Sequence, residues 1–366
     1  MRLCSLAVAD FRNISSVHIE PGERFNLLHG LNGQGKTNLL EAIYLLGSPR
    51  SFRTSRLPEL VRHSEQQAHI QGTVKSGSME NSLRLVIETA GRKMQIDGKT
   101  IHKASELHGR LNAVVFSPDD TGMVRMGPES RRRYLDRAVY MGDIGYLHCW
   151  HSYQRILKQR NHLLKSVDRT GLDIWTESLA EAGAEVIERR IGFVVMLDAK
   201  LQKYYATIAG DSEKCSLRYN PDGVQATDRE NIREELLQLF RRHQKSDERY
   251  GTTTAGPHRD DLSFILDGRP LKAFGSQGQQ KSFVLALKMA EMDNLQDTFG
   301  EAPLLLLDDM SSELDARRNH NLMEFLTKRE IQVFITTTER SPALLEATPH
   351  CAVFHVEGGN LTFEGS

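Results

Sequence analysis

Gly30-Leu-Asn-Gly-Gln-Gly-Lys36-Thr37 matches the pattern G-x-x-x-x-G-K-[ST] over its whole length. An apolar run, Arg24 to His29, precedes it. Asn38 to Leu46 follows it, is apolar on nearly all faces, and stops at Gly47. Strand, glycine loop and buried helix are the order that a phosphate-binding loop requires. The sequence therefore predicts an α/β protein built around a P-loop.

The chemistry of such a loop predicts ATP and Mg²⁺ as ligands. Backbone N–H groups surround the phosphates, Lys36 reaches the β and γ phosphates, and Thr37 takes a position on Mg²⁺. We expect nucleotide contacts from all eight loop residues: Gly30, Leu31, Asn32, Gly33, Gln34, Gly35, Lys36 and Thr37.

Composition narrows the class of protein. The chain has 366 residues, 47 Lys+Arg against 48 Asp+Glu and a net charge of −1. This composition excludes a disordered chain and a constitutive polycation, so DNA affinity requires local basic patches. Four scattered cysteines indicate neither a disulfide framework nor a zinc site. No apolar run is long enough for a membrane helix, and the N-terminus is too soon charged for a signal peptide, so we expect a soluble cytoplasmic protein without a membrane partner.

A second half of the nucleotide site is predicted at Leu304 to Leu307, followed by Asp308-Asp309. Four apolar residues indicate a central buried strand, with a carboxylate at its end that meets the metal through Thr37. We assign Asp308 to the metal and Asp309 to orienting the attacking water as a general base.

Ser276-Gln-Gly-Gln279 indicates a second helix N-terminus that favours anions. Ser276, Gly278 and Gln279 are its candidate phosphate contacts. Together with the Lys36 helix, this end predicts a sandwiched γ-phosphate. The spacing alone leaves open whether both ends belong to one chain or to two.

The organisation along the chain predicts an ATPase head interrupted by an insertion. Residues 70–116 show strand-like runs, residues 351–363 resemble a closing hairpin, and residues 121–245 are charged and mostly helical in pattern. We therefore predict a discontinuous head, 1–120 with 246–366, combining a mixed sheet with an antiparallel β subdomain. A helical lobe, 121–245, is inserted in it.

These motifs together resemble the ATP-binding-cassette (ABC) superfamily, specifically its SMC-like DNA-repair branch and, within it, the RecF family of bacterial recombination mediators. The resemblance extends over essentially the whole chain. The motifs that carry it besides the P-loop are Asp10-Phe-Arg-Asn13, Ser51-Phe-Arg-Thr-Ser-Arg56, Phe116-Ser-Pro-Asp-Asp120, Ser130-Arg-Arg-Arg-Tyr-Leu-Asp136, Gly256-Pro-His-Arg-Asp-Asp261, Gly275-Ser-Gln-Gly-Gln-Gln-Lys-Ser282 and Leu307-Asp-Asp-Met310.

The resemblance implies an ATP-gated homodimer in which each Ser276 faces the partner's γ-phosphate, with Ser276, Lys36 and Asp309 in catalysis. Ser312-Glu-Leu-Asp315 takes the place of the family's D-loop, which communicates across the dimer. The resemblance further implies binding to double-stranded DNA and to gapped or junction DNA. It also implies work with RecR-like and RecO-like mediators to load RecA, in support of DNA replication and the SOS response.

Two departures from the wider cassette pattern predict slow hydrolysis, as in a switch. Thr336-Thr337-Thr338 stands where a switch histidine is frequent, and Ser117-Pro-Asp-Asp120 shows no lid glutamine.

Two arginine clusters are candidates for DNA phosphate contacts: Arg50, Arg53 and Arg56, and Arg131, Arg132 and Arg133. The same side chains could equally pair with acids of the head or reach the nucleotide. His258 lies outside any metal-ligand spacing, and we expect a packed, hydrogen-bonded residue.

Two other classes of protein stay open at this point. An ABC-type ATPase subunit of a transporter shares the P-loop, but the long helical insertion and the missing histidine disfavour it. A P-loop kinase also shares the loop, but has no use for Ser276-Gln-Gly-Gln279.

Overall fold

The computed structural model describes the chain except residues 49, 211, 310–315, 341–345, 347, 349 and 366. The predicted D-loop, 312–315, lies outside the described residues. The chain forms two compact units. The first comprises Met1–Thr121, Thr207–Ala209 and Gln277–Ser366, and the second comprises Gly122–Ala206 and Gly210–Ser276.

The first unit contains two six-stranded sheets. Its elements, in chain order, are β1 (Arg2–Phe11), β2 (Ile14–Ile19), β3 (Phe25–His29), α1 (Lys36–Gly47), a 3-10 turn (Leu57–Glu59), β4 (Gln67–Ser76), β5 (Met79–Glu88), β6 (Gly91–Ile96), β7 (Lys99–Ile101), α2 (Ala104–Leu107) and β8 (Ala113–Phe116). α3 (Pro118–Arg125) leads out of this unit.

The nucleotide loop lies at the carboxyl ends of the parallel strands of the mixed sheet, whose order is β15-β14-β3-β13-β12-β8. Its later strands are β12 (Leu304–Leu307), β13 (Val333–Thr337), β14 (Ala352–Glu357) and β15 (Asn360–Gly365). Neighbours from β14 to β8 are parallel, and β15 is antiparallel to β14. Parallel strands end at the same edge, so the ends of β3, β12 and β13 come together where the loop begins.

The second sheet is antiparallel, in the order β2-β1-β4-β5-β6-β7. α1 packs against strands of both sheets, which explains why it is apolar on most faces: Leu39, Leu40, Ile43 and Leu46 are fully buried. A helix buried on both sides positions the loop at its N-terminus rigidly.

The second unit is mostly helical. It contains α4 (Pro128–Gly142), α5 (Ile144–Lys165), α6 (Leu172–Ala209, except its last three residues), β9 (Cys215–Asn220), α7 (Arg229–Tyr250), β10 (Asp261–Leu266), β11 (Arg269–Pro270) and α8 (Leu271–Phe274). The three strands form one small antiparallel sheet, β11-β10-β9. α9 (Gln277–Phe299) and α10 (Ala316–Thr327) belong to the first unit.

The predicted fold class, a mixed sheet plus an antiparallel sheet with an inserted helical lobe, is confirmed. The division into units differs from the predicted boundaries at one end: residues 246–276, which we assigned to the head, lie in the second unit with their partner strand β9. β9 itself lies within residues 121–245, for which the sequence predicts mostly helix. In the described part of the chain, no helix has the length and apolar character to cross a bilayer.

Candidate nucleotide-binding site

The loop connects β3 directly to α1, as the sequence predicts, and Lys36 is the first residue of the helix. The Lys36 ammonium is largely buried and donates to the carbonyl oxygens of Gly30 and Leu31, the latter at 2.9 Å. Burial lowers the pKa of Lys36, while the nearby carboxylates of Asp309 and Asp308 act in the opposite direction. Lys36 is therefore a cation held inside the loop by weak neutral acceptors that an anion can replace.

Asp308 follows β12 and is the centre of the site. Its carboxylate accepts from the Thr37 hydroxyl, at 2.9 Å for Oδ1 and 3.0 Å for Oδ2, and from the Thr336 hydroxyl at 2.7 Å. Its own N–H donates to the carbonyl oxygen of Phe116. Burial raises the pKa of Asp308, and the hydrogen bonds from Thr336 and Thr37 oppose that rise. The structure thus brings together the two residues that we assigned to the metal.

Asp309 is held differently. Its N–H donates to the Thr336 hydroxyl at 2.8 Å, and its φ of 50° lies in the left-handed region, which costs a non-glycine residue about 1 kcal/mol. Strained backbone of this kind is concentrated at functional sites. Thr336 therefore contacts both acids, donating to one side chain and accepting from the other residue's backbone.

Thr336 is a site residue that sequence reasoning did not identify as one. It appeared there only as a departure from the histidine that many cassette proteins have. Its position beside the acids depends on the parallel register of β12 and β13, in which Leu307 pairs with Ile335, so that Asp308 and Thr336 follow side by side.

Arg53, a candidate DNA contact, forms hydrogen bonds with two side chains of α1. Its guanidinium donates to Asn38 Oδ1 at 2.7 Å and to Glu41 Oε2 at 3.1 Å. Glu41 is fully buried, and Arg12 also binds it through two hydrogen bonds of 3.0 and 2.9 Å. Arg53 is close enough to Asp308 to lower its pKa electrostatically. Arg53 therefore pairs with an acid of the head, one of the alternatives that the sequence leaves open, and it lies close to the nucleotide site.

Arg50 and Arg56 lie in the same loop and are exposed. Arg56 has 80% of its side chain exposed, and its closest carboxylate oxygen, on Glu59, is 3.7 Å away. Such a surface pair contributes little and leaves the side chain accessible to a phosphate.

The second arginine cluster is bound within its own unit. Arg131 makes two parallel hydrogen bonds of 2.8 Å to the Asp261 carboxylate, and Arg132 donates to the Asp260 carbonyl oxygen at 2.7 Å. Arg133 is exposed and pairs with Glu129, one helical turn away. The contacts of Arg131 and Arg132 give them a structural task and do not favour a DNA role.

Gly256-Pro-His-Arg-Asp-Asp261 is the centre of a buried network in the second unit. Arg190, fully buried, donates to Asp136 Oδ1 at 2.6 Å, to the Pro257 carbonyl oxygen at 2.8 Å and to Asp260 Oδ2 at 3.2 Å. His258 Nδ1 lies 2.7 Å from the Tyr153 hydroxyl, and its Nε2 lies 3.0 Å from the Thr253 carbonyl oxygen. Burial lowers the pKa of His258 to about 4, so this histidine is neutral and structural at pH 7.

The Ser276-Gln-Gly-Gln279 motif begins α9, as predicted, and Ser276 is exposed just before the helix. A Cβ at Gly278 would lie 2.8 Å from the Arg318 guanidinium, so a larger residue here would require that flexible side chain to move. Gln279 is half-buried in the first turn.

The donor set of the first unit fits a magnesium nucleotide. The Thr37 hydroxyl and the Asp308 carboxylate supply the oxygen ligands that Mg²⁺ takes, and a buried ammonium and a helix N-terminus lie in the same loop for the phosphates. Fold and site therefore define a P-loop nucleotide-binding head.

The chain belongs to the RecF/RecN/SMC N terminal domain family, whose model matches residues 2–362. "DNA replication and repair protein RecF" of Trichlorobacter lovleyi is 50% identical over 366 residues, covering 100% of this chain and 99% of that protein. The protein of the same name from Geobacter metallireducens is 47% identical over 364 residues, covering 99% of this chain and 100% of that protein. A solved structure, "Structure of the recombination mediator protein RecF-ATP in RecFOR pathway", matches with a TM-score of 0.90 at 33% identity and covers 99% of both chains. These matches place the chain in the RecF branch of the family.

Proposed function

We propose that this protein is an ATP-gated DNA-binding protein of recombinational repair. The observation that carries the proposal is the triad of Thr37, Asp308 and Thr336, which joins the end of β12 to the first turn of the loop helix. The ATP complex of the solved relative and the full-length relatives of the RecF branch support it.

Thr37 and Asp308 are the residues that would hold Mg²⁺. When bound, the ion neutralises developing charge on the β and γ phosphates. The chain's own residues do the rest: Lys36 exchanges its carbonyl acceptors, Gly30 and Leu31, for phosphate oxygens, and the loop amides orient them. Asp309 accepts a proton from the attacking water or orients it.

Slow turnover follows from the same geometry. Thr336 is one of the three threonines, 336–338, that stand where a histidine is frequent in cassette proteins, and its hydroxyl contacts Asp308 and the N–H of Asp309. A threonine hydroxyl does not ionise at neutral pH, whereas an imidazole can carry a charge there. We propose that hydrolysis ends the DNA-bound state slowly and does not drive a motor.

The gate in this proposal is dimerisation. Ser276 is exposed at the N-terminus of the 23-residue helix α9, where amide groups favour an anion. We propose that Ser276, Gly278 and Gln279 of one copy meet the γ-phosphate bound to the Lys36 loop of a second copy.

DNA contacts in this proposal come from the loop that follows α1. Arg50 and Arg56 are exposed and would bind backbone phosphates without reading bases, which suits double-stranded, gapped and junction DNA. Arg53 is a weaker candidate because Glu41 and Asn38 already hold it. Cooperation with RecO-like and RecR-like mediators, loading of RecA and a role in replication and the SOS response are further parts of the proposal, supported by the RecFOR pathway named for the solved relative.

A salt titration of duplex DNA binding, with and without ATP, tests the proposal. Each phosphate contact contributes about 0.9 to the slope of log K against log salt, so Arg56→Ala should reduce that slope by about one and weaken binding. Arg84→Ala removes an exposed arginine on the outer face of β5 and should change neither quantity. Equal DNA affinity with and without ATP would contradict the gate, and equal slopes for Arg56→Ala and the wild type would remove Arg56 from the contacts.

A further inference from the structure

Two segments far apart in sequence hold the nucleotide loop at Gln34. The Gln34 carbonyl oxygen accepts from the Gly359 N–H at 2.9 Å and from Asn13 Nδ2 at 3.0 Å. The Gln34 side-chain oxygen accepts from the Gly358 N–H at 2.6 Å. We refer to Asn13, Gly358 and Gly359 as the loop clamp.

The topology of the mixed sheet brings the loop clamp to this place. β14 is parallel to β3 and neighbours it, with His355 opposite His29, so the two strands end at the same edge. β3 continues into the nucleotide loop, and β14 continues into the turn that holds Gly358 and Gly359. Nε2 of His29 lies 2.8 Å from Glu364 Oε2 on β15, which ties the returning strand to the base of the loop.

The loop clamp fits against the loop without spare room. A Cβ at Gly359, whose φ is +82°, would lie 2.4 Å from the Asn13 carbonyl oxygen. A Cβ at Gly35, whose φ is +112°, would lie 2.6 Å from the Asn13 side-chain oxygen. That oxygen also accepts from Asn38 Nδ2 at 2.8 Å, which fixes the orientation of the Asn13 amide. At Gly359 backbone therefore meets backbone, at Gly35 backbone meets the Asn13 side chain, and both close approaches favour glycine.

Because the peptide bond is planar, a contact that fixes the Gln34 carbonyl also fixes the N–H of Gly35, which belongs to the same peptide. In a trans peptide, the carbonyl of one residue and the N–H of the next point in opposite directions. Because the loop clamp fixes the Gln34 carbonyl, it directs the Gly35 N–H away from Asn13 and from the hairpin turn. Loop N–H groups of this kind are the ones that hold nucleotide phosphates.

We propose that the loop clamp is a positioning element for the nucleotide: Asn13, Gly358 and Gly359 hold the Gln34–Gly35 peptide in the orientation in which its N–H binds a phosphate oxygen. A loop that is already in the bound conformation loses less conformational freedom on binding, which raises affinity. This inference rests on the proposed nucleotide binding, and it adds residues from the C-terminal hairpin to a site that the P-loop pattern confines to residues 30–37.

The test compares glycines of similar conformation. Gly359→Ala introduces the overlap with Asn13, whereas Gly98→Ala places the same methyl group at a φ of +76°, in the turn between β6 and β7, with no atom within 4 Å. Both changes place a Cβ at a similar positive φ, and only Gly359→Ala disturbs the loop clamp. Asn13→Ala is a second variant, which creates no overlap and removes one of the two donors to the Gln34 carbonyl.

The measurement is the dissociation constant for ATP and ADP on the full chain, by competition with a fluorescent ATP analogue, together with the melting temperature without nucleotide. One lost hydrogen bond corresponds to about fivefold weaker binding, so Asn13→Ala should bind both nucleotides about fivefold more weakly and Gly359→Ala about tenfold or more. Gly98→Ala should bind like the wild type. At saturating ATP the clamp variants should dimerise to the wild-type extent, which a damaged fold would prevent.

Two results would overturn the inference: ATP binding by Asn13→Ala that equals the wild type, or equal ATP binding by Gly359→Ala and Gly98→Ala. If Gly359→Ala does not fold, Asn13→Ala decides alone. If the proposed nucleotide binding itself were wrong, the result would be distinguishable, because the wild type and Lys36→Ala would then bind ATP equally poorly.

Discussion

Thr336→Val is the substitution that examines the site most closely. It replaces a hydroxyl by a methyl group of nearly the same size at a fully buried position. The hydroxyl donates to Asp308 Oδ1 at 2.7 Å and accepts from the Asp309 N–H at 2.8 Å, so the variant loses both contacts while packing is preserved.

The expected loss in the free energy of unfolding of Thr336→Val follows from those two contacts. A hydrogen bond to a charged group contributes about 1.5–3 kcal/mol, and a buried N–H left without an acceptor costs about 1–3 kcal/mol. The added methyl group recovers about 0.8 kcal/mol through burial. We expect the free energy of unfolding to fall by about 3 kcal/mol. The pKa of Asp308 should rise further, because Thr336 is the donor that most opposes the effect of burial.

Urea denaturation of the nucleotide-free protein measures this loss, with Thr337→Val as the matched control. Thr337 is buried in the same strand, but its hydroxyl contacts neither acid: it donates to the Glu339 carbonyl oxygen at 3.1 Å and accepts a long hydrogen bond from the Glu339 N–H at 3.4 Å. The control should lose about 1 kcal/mol. Equal destabilisation by the two variants would refute the assignment of Thr336 to the pair of acids.

Three further predictions concern charge. Burial raises the pKa of Asp308 in the folded chain above its unfolded value, so its charge disfavours folding at neutral pH. The melting temperature of Asp308→Asn without nucleotide should therefore exceed that of the wild type at pH 7, and the difference should narrow as the pH falls toward 4. Burial lowers the pKa of His258 to about 4, so its stabilisation is present above pH 6.5 and is lost as the pH falls to 4. By urea denaturation, the free energy of unfolding should fall by about 3 kcal/mol over that pH range, and this loss should be absent in His258→Gln. Arg190→Met leaves the Asp136 and Asp260 carboxylates without their buried cation and should cost about 3–5 kcal/mol by the same assay, whereas a loss under 1 kcal/mol would contradict the network.

Local patterns were sufficient for the elements that lie around the loop. The apolar run at residues 304–307 forms the buried strand β12, and the helix that is apolar on most faces, 38–46, lies within α1, because burial on both sides leaves no polar periodicity to misinterpret. Asp308 and Thr37 could be paired from the sequence because the P-loop pattern states their chemistry.

The remaining features depend on contacts between distant residues, which no local pattern reports. Thr336 became a site residue only through the pairing of β12 with β13, and the loop clamp only through the pairing of β14 with β3. Arg131 matched a phosphate-binding cluster by composition, yet its guanidinium pairs with Asp261, 130 residues further on. β9 was missed because six residues between two charged helices carry too short an alternation to distinguish from their surroundings.

Sedimentation velocity with and without ATP examines the dimerisation gate itself, since the gate requires that nucleotide on one copy bind the exposed Ser276 of another. We expect a monomer without ATP, a dimer with ATP, and a monomer under both conditions for Ser276→Arg, which should still bind ATP because it leaves the Lys36 loop intact. A Ser276→Arg protein that dimerises with ATP as the wild type does, or a wild type whose dimer is independent of ATP, would contradict the gate.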